Sequence, residues 1–465
     1  MTYRTIAAIS TPFGKGGIAV IRISGEGTAA ILEKIFTPAG KTAPADSPRK
    51  AVFGEIVSPT GEVVDTGVAV FYKAPASFTG EDTAEISCHG GILVTRRVLE
   101  AVFAAGASPA EAGEFTRRSF LNGKMTLSEA EAVGLLLDAD TDSRMKLASS
   151  GTRGILSEKL SAIGDRISAV LSNLFALIDY PDEDIDDIGA EKLAAELLGA
   201  AADAEKLSAT FRTGKAVAEG VPTLICGKPN AGKSSLYNAL AGEDRAIVTS
   251  IPGTTRDVLE DTVDCGGVTL RLWDTAGIRD HGDEVELMGI ERARARMNEA
   301  ELILAVYDGS AELTPDDISL MDEISRRTEG RQVCKIAVIN KSDAGMSFTK
   351  DDIRRIEENH NNTVYISAKA GDGLDSLHHT VADLYGLGEL TVGEDAIVWD
   401  ASRKAELDIA ALLLKEAATE LMAGEPEDAI CSTAELALAA LRRTDGRGVS
   451  EEIVNGIFAR FCVGK

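Results

Sequence analysis

Aromatic side chains are scarce in this 465-residue chain, at 5% for phenylalanine, tryptophan and tyrosine together, which leaves little material for platforms on which nucleobases stack. The six cysteines are scattered, with no C-x-x-C pair. Neither a zinc ribbon nor a disulfide framework is suggested, and a reduced, cytoplasmic compartment is the natural expectation. No apolar run approaches the length of a membrane span, and the apolar stretch near the N-terminus is too short for a signal segment. Positive charge is in deficit: Lys+Arg 48 against Asp+Glu 74 gives a net charge of −26. That argues against a surface coated for nucleic acid, while leaving room for a local basic patch. No internal repeat or low-complexity tract is evident.

What is present begins with Gly227-Lys228-Pro229-Asn230-Ala231-Gly232-Lys233-Ser234, a match to G-x-x-x-x-G-K-[ST]. The apolar run 222–226 reads as a buried strand before it, and 235–240 reads as the start of a helix after it. Glycines let the backbone curl until its N–H groups point at phosphate oxygens, and the helix N-terminus adds a favourable field for an anion. Lys233 is then expected to reach the β- and γ-phosphates, and the Ser234 hydroxyl to ligate Mg²⁺. Asp274-Thr275-Ala276-Gly277 follows the apolar strand 268–273; an acid there can hold Mg²⁺ through water, and the glycine N–H can meet a γ-phosphate. Asn340-Lys341-Ser342-Asp343 follows the strand 335–339, and its Asp can accept both N–H donors of a guanine edge. Ser367-Ala368-Lys369 follows 363–366 and would back the base. Four loops in this order, each after a strand, imply a guanine-specific P-loop domain of the Ras-like α/β type over 218–385.

The flanks have a different texture. Residues 1–120 alternate apolar and polar with frequent glycine and proline. Within them 18–23 and 68–72 read as strands and 93–105 as a helix, an α+β domain. From 121 helical patterning takes over. Ser128 and Glu131 read as a capping box, and Leu160, Ile163, Ile167, Val170, Leu174 and Ile178 share one helical face. The acidic run 182–187 interrupts it and reads as a solvated linker, since the spacing and glycine of an EF-hand are absent. Helix resumes over 191–211 and again from 400 to the end, where Ile453, Val454, Ile457, Phe458 and Phe461 form one stripe. The simplest architecture inserts the P-loop domain into a discontinuous α-helical domain, 121–217 plus 386–465, through closely spaced chain ends.

Phosphoryl transfer needs its charge neutralised and a water positioned. Asn230 has two readings: its carboxamide holds a monovalent cation against the phosphates in place of a guanidinium, or it suits a turn. Residues 246–257, containing Ile251-Pro252-Gly253-Thr254-Thr255-Arg256-Asp257, read as a first switch; its second threonine could complete the Mg²⁺ shell, and carbonyls near Thr249 and Ile251 a cation cage. Ile278 stands where many GTPases place a catalytic glutamine, and an aliphatic side chain cannot orient water. Asp283, Glu284 and Glu286 are alternatives, with solvated surface as the default for any one of them.

Together the motifs make the chain resemble, over its full length, the MnmE (TrmE) family of tRNA-modification GTPases. Besides the nucleotide loops, the resemblance rests on Gly17-Ile18-Ala19-Val20-Ile21-Arg22-Ile23-Ser24-Gly25, Ser77-Phe78-Thr79-Gly80-Glu81-Asp82 and Cys88-His89-Gly90-Gly91. It rests also on the run from Gly113-Glu114-Phe115-Thr116 to Asn122-Gly123-Lys124, and on the ending Phe461-Cys462-Val463-Gly464-Lys465. The resemblance implies GTP contacts from Asn230, Ala231, Gly232, Lys233, Ser234 and Ser235; from Thr249, Ser250, Ile251, Pro252, Gly253, Thr254 and Thr255; and from Asp274, Thr275, Ala276 and Gly277. Asn340, Lys341, Ser342, Asp343, Ser367, Ala368 and Lys369 complete the set. By position Ser234 and Thr255 match Mg²⁺ ligands, Asn230, Thr249, Ile251 and Thr254 match K⁺ ligands, and Glu286 matches the glutamate that positions water. Arg256 and Arg279 lie in the switch loops without an assignable role.

The family further implies an N-terminal domain that dimerises and binds 5-formyl-tetrahydrofolate or a related folate, with Arg22, Glu81, Lys124 and Lys465 at the matching positions. Read from the residues alone, each is an ordinary surface charge, and His89 a satisfied histidine. Cys462 carries three readings: a prenylation site, to which the terminal Lys465 is ill suited; a small buried residue; and, by resemblance, a residue beside the folate needed for modification. The implied function is potassium-activated GTP hydrolysis by a cytoplasmic homodimer. With the FAD-binding partner MnmG (GidA), in a heterotetramer or larger complex, it would add a (carboxymethyl)aminomethyl group to C5 of the wobble uridine, position 34, of certain tRNAs. Val463 and Phe78 depart from the commoner Ile and Tyr; the first removes one methylene, the second one possible hydroxyl contact. Two other classes make different demands on the sequence. A ribosome-assembly GTPase predicts a basic or KH-type RNA-binding appendage, against which the acidic helical flanks argue. A membrane-remodelling GTPase needs an amphipathic lipid insertion, and none is found.

Overall fold

The computed structural model describes residues 4–179, 189–243, 260–273, 296–446, 456–459, 461 and 463–464. The chain forms two compact units, Met1–Gly134 with Asp445–Lys465, and Leu135–Thr444.

The first unit is built on a seven-stranded sheet, β3 (Phe36–Pro38), β4 (Val52–Val57), β5 (Val63–Tyr72), β6 (Thr83–His89), β2 (Ile18–Ser24), β1 (Ile6–Ile9) and β7 (Ser108–Pro109) in spatial order. All neighbours run antiparallel except β1 and β7. Period-two alternation in β2 buries Ala19, Ile21 and Ile23 and turns Arg22 to the opposite face, directly across from Glu85 of β6. Helices α1 (Thr28–Ile35) and α2 (Ile92–Ala104) cover the apolar face, with Ile31, Leu32, Ile35, Val98 and Val102 in the core. Each such side chain contributes about 1.5–3 kcal/mol by burial. Next come α3 (Glu114–Leu121) and α4 (Leu127–Leu137). The cap of α4 differs from the expected Ser128–Glu131 pair. The Thr126 N–H donates to Glu129 at 2.8 Å and the Glu129 N–H to the Thr126 hydroxyl at 3.2 Å. The reciprocal pair therefore sits two residues earlier, and Ser128 lies inside the helix. The unit runs past the change of texture at 121, and it takes in residues from Asp445 onward, which the helical patterning had grouped with 386–465. The reason is packing: Phe458 is buried against Leu127 and Ala130, with Phe461 and Phe120 beside it.

In the second unit, α5 (Asp142–Thr152) leads into α6 (Ile155–Asp179), α7 (Ala190–Ala209) and α8 (Phe211–Ala218). After the inserted sheet come α13 (Ala401–Ala423) and α14 (Glu427–Thr444). Helix α6 packs on α7 and α14, and α13 packs on the same two, closing a ring of four. Leu160, Ile163, Ile167, Val170 and Leu174 lie in its core as the 3.6 period requires, whereas Ile178 at the end of the stripe is 40% exposed. By length and composition alone α6 could cross a membrane, although polar and charged residues interrupt its apolar stretches; its core-facing residues are the ones just named.

The inserted six-stranded sheet has the order β13 (Asn362–Tyr365), β12 (Cys334–Asn340), β11 (Leu302–Asp308), β8 (Val221–Gly227), β10 (Val268–Trp273), β9 (Glu260–Cys265). It is parallel apart from the β9 edge. Helices α9 (Lys233–Glu243) and α12 (Leu374–Leu384) cover one face, and α10 (Pro315–Thr328) and α11 (Lys350–Asn359) the other. With both faces covered, a strand such as β11 is buried without alternation from Leu302 to Tyr307, and only its last residue, Asp308, is charged. The loops expected to meet the nucleotide leave the C-terminal ends of β8, β12 and β13, the edge at which doubly wound sheets bind ligands. Entry and exit of this insertion lie side by side. The Val398 N–H donates to the Thr210 hydroxyl at 2.9 Å, and the Thr213 hydroxyl donates to the Tyr385 carbonyl at 2.6 Å.

Candidate active site

The loop 227–233 curls because its residues allow it. Asn230 sits at φ 63 and Gly232 at φ 97, both left-handed. Asparagine tolerates that region better than most side chains, so the turn-forming reading of Asn230 describes its backbone. At Gly232 conformation and space agree, since an added Cβ would overlap Asn340 Nδ2. Lys233 Nζ donates to the carbonyls of Gly227 at 2.9 Å and Lys228 at 2.8 Å, which holds the ammonium over the loop. Burial lowers its pKa below the ordinary lysine range. Ser234 and Ser235 open α9 with exposed side chains. Ala231 is buried, and beneath the loop burial pushes the Cys226 thiol up to about 12, leaving it an inert core group.

Asn340 joins the loops. Its Nδ2 donates to the Ala231 carbonyl at 3.0 Å and its Oδ1 accepts from the Ala368 N–H at 3.0 Å, with the residue 3% exposed. The Ser342 N–H donates to the Ile366 carbonyl at 3.0 Å, adding a second tie between 340–343 and 366–369. Lys341, at φ 66, forms an ion pair with Asp308 at 2.7 Å. Asp343 is exposed in the single turn Ser342–Ala344, Ser367 is buried and Lys369 is exposed. The structure thus brings 230–235, 340–343 and 367–369 to one end of the sheet. Thr249, Ser250, Ile251, Pro252, Gly253, Thr254, Thr255, Asp274, Thr275, Ala276, Gly277 and Glu286 lie outside the described residues, as do Arg256, Arg279, Cys462 and Lys465. Of the expected metal ligands, Ser234 and Asn230 are described.

A second cluster occupies the first unit. Arg22 Nη2 pairs with Glu85 at 2.8 Å, and its guanidinium carbon lies 5.3 Å from the Phe78 ring centroid and 5.8 Å from that of Phe115. Glu81 Oε2 accepts from the Ser24 hydroxyl at 2.8 Å and from Arg118 Nη1 at 2.9 Å. Arg118 also pairs with Glu114 at 2.7 Å and donates to the Arg4 carbonyl at 3.0 Å, and it is only 2% exposed. Helix α3 and the turn after it carry the loop 77–82: Ser119 donates to the Phe78 carbonyl and Asn122 to the Thr79 carbonyl, at 2.8 and 2.7 Å. Lys124 Nζ donates to the Pro75 carbonyl at 3.1 Å. Glu81 therefore lies in a loop that Arg22 and Lys124 adjoin, Arg22 at Phe78 and Lys124 at Gly80. Sequence reasoning passed over Arg118; the available signal was its i,i+4 spacing from Glu114. His89 lies at the other end of β6, its Nδ1 on Asp65 at 2.8 Å and its side chain 70% exposed. Residues 463–464 return to this unit, where Ser10 donates to the Gly464 carbonyl at 3.0 Å and Ala112 bridges Val463.

Comparison with known proteins identifies two matching families. One, described as GTP-binding protein TrmE N-terminus, matches residues 5–124; the other, described as MnmE helical domain, matches residues 127–462. Among curated relatives, a tRNA modification GTPase MnmE of Natranaerobius thermophilus is 39% identical over 466 residues, 100% of both chains. A protein of the same description from Geobacillus thermodenitrificans is 40% identical over 469 residues, 100% of this chain and 99% of its own. One from Clostridioides difficile is 37% identical over 462 residues, 99% of each.

Proposed function

The chain belongs to the MnmE family, and from that premise we propose that it is a GTP hydrolase acting in tRNA modification. The observation that carries this reading is the Asn340 bracket, which gathers the phosphate loop and both base loops at the C-terminal edge of a parallel sheet, in a chain related to its family from end to end. On this reading Lys233 neutralises β- and γ-phosphate charge, Asp343 accepts from the guanine edge, and Ser367, Ala368 and Lys369 back the base. The left-handed, side-chain-free Gly232 suits a loop that wraps phosphate. When bound, Mg²⁺ and K⁺ supply positive charge to the phosphates, with Ser234 and Thr255 as Mg²⁺ ligands and Asn230, Thr249, Ile251 and Thr254 as K⁺ ligands. Glu286 positions the attacking water.

In the first unit Arg22, Glu81, Lys124 and Lys465 hold a formyl-tetrahydrofolate. The charged cluster around 77–82 supports the assignment, because cations there suit a folate's glutamyl tail and a carboxylate suits its aminopyrimidine edge. Cys462 serves the modification step. The protein works in the cytoplasm as a homodimer with the FAD-binding MnmG, on the wobble uridine of tRNA, and hydrolysis drives the P-loop domain between open and closed states.

Nucleoside mass spectrometry of tRNA from a bacterial strain lacking the activity tests this, with wild type, Lys233→Ala, Cys462→Ser or empty vector supplied. Wild type co-expressed with its cognate partner restores the C5-modified uridine and neither variant does. A wild-type chain that hydrolyses GTP beside that partner yet restores nothing rules out the modification role.

A further inference from the structure

The segment between β11 and α10 belongs to none of the loops assigned above, yet it grips two of them. At its far end the Thr314 hydroxyl accepts from the Asp317 N–H at 3.4 Å, while Asp317 Oδ2 accepts from the Thr314 N–H at 3.0 Å, a capping box that starts α10. The same Oδ2 takes Lys228 Nζ at 2.9 Å, with the Asp317 side chain 1% exposed and that of Lys228 17%. Lys228 lies inside the phosphate loop, and its carbonyl receives Lys233 Nζ at 2.8 Å and the Ala231 N–H at 3.3 Å. Asp317 thus holds the residue on which the phosphate-binding lysine rests. At the near end Asp308 pairs with Lys341 of the base loop at 2.7 Å. Burial raises the Asp308 pKa, but hydrogen bonds from Lys341 and Ser310 outweigh it and keep the carboxyl below its usual range. The backbone is sewn to the same loop: Gly309 N–H donates to the Asn340 carbonyl at 2.9 Å and Ser347 N–H to the Gly309 carbonyl at 2.8 Å.

We propose that residues 308–317 form a brace that keeps the phosphate loop and the base loop in register, with Asp317 and Asp308 as its positioning residues. The proposal rests on the guanine-nucleotide reading of these loops. Each carboxylate acts through a lysine of the loop it holds. Because the ion pairs tie both loops to one rigid strand and helix, their loss frees the loops and speeds nucleotide release.

The test is the release rate of mant-GDP from the full chain, chased with excess GDP in a stopped-flow instrument. The double variant Lys228→Met/Asp317→Asn strands no buried charge, and the asparagine can still cap α10. It releases mant-GDP about tenfold faster than wild type. Thr314→Ala, which removes a hydroxyl that donates to Asp317 Oδ2 at 2.6 Å but keeps both charges of the ion pair, lowers the melting temperature and accelerates release less than the double variant does. Should the double variant not fold, Asp308→Asn makes the same test from the other end, with release faster by about threefold to tenfold. Wild-type release in a folded charge variant, or equal acceleration by Thr314→Ala, overturns the brace alone. A wild-type chain that takes up no mant-GDP sinks the nucleotide reading together with the brace.

Discussion

Asn340 meets two demands with one amide group. Its nitrogen satisfies a buried loop carbonyl and its oxygen a loop N–H, at 3.0 Å each, so truncation leaves two backbone groups short of partners. Each stranded group costs about 1–3 kcal/mol, more than a typical hydrogen bond contributes net. Asn340→Ala is therefore expected to lower stability by about 2 kcal/mol or more and to weaken mant-GDP binding at least about tenfold. Urea denaturation and fluorescence titration measure the two. Loss of stability with unchanged affinity would show that the bracket supports the fold and not the site. Arg118 has a comparable double duty beside Glu81 and Glu114, which explains how a guanidinium is tolerated at 2% exposure.

Between elements, His360 ties the end of α11 to β11. Its Nδ1 lies 2.8 Å from the Ile356 carbonyl and its Nε2 3.3 Å from the Tyr307 hydroxyl, with the ring edge-on to the tyrosine. Burial lowers its pKa; the Ile356 carbonyl opposes this and Lys335 adds to it. The sign follows from proton counting. Below about pH 6.5 the unfolded chain binds a proton that the folded chain refuses, so unfolding is favoured as pH falls. This contribution to stability is complete above the unfolded value and is lost progressively down to the folded one. Urea unfolding at pH 7.5 and 5.5 checks it: His360→Gln should show the smaller drop on acidification, by up to about 1.4 kcal/mol. Equal drops in both proteins would assign the acid sensitivity elsewhere. The α4 cap teaches a related lesson at this scale. Two overlapping S/T-x-x-E patterns stand in the sequence, and the chain uses Thr126 and Glu129.

For the molecule as a whole, the decisive contact in the second unit is where the inserted sheet leaves and rejoins the helical ring. Gly214 lies in α8 at this crossing, and an added Cβ would overlap the Val398 carbonyl. Two effects compete in Gly214→Ala. Helix propensity favours alanine by about 1 kcal/mol, whereas overpacking costs about 1–3 kcal/mol. A clash with backbone cannot be relieved by a rotamer change, so the cost wins and the variant unfolds at lower urea than wild type. A midpoint at or above wild type would mean that the crossing yields readily.

What the sequence determined by itself is local. The strands before the proposed nucleotide loops and the helix from Lys233 were legible because glycine placement, period-two runs and period-3.6 stripes are demands each segment makes on its own backbone. The expected strand 268–273 coincides with Val268–Trp273 for that reason. Only tertiary structure decided the rest. Arg118 reaching Glu81, Asp317 holding Lys228 and the C-terminal residues packing on α4 join positions far apart in the chain. Periodicity says which face of an element is apolar, but not which distant element covers it. An ion pair is a matter of a few ångströms, and that proximity exists only once the chain has folded.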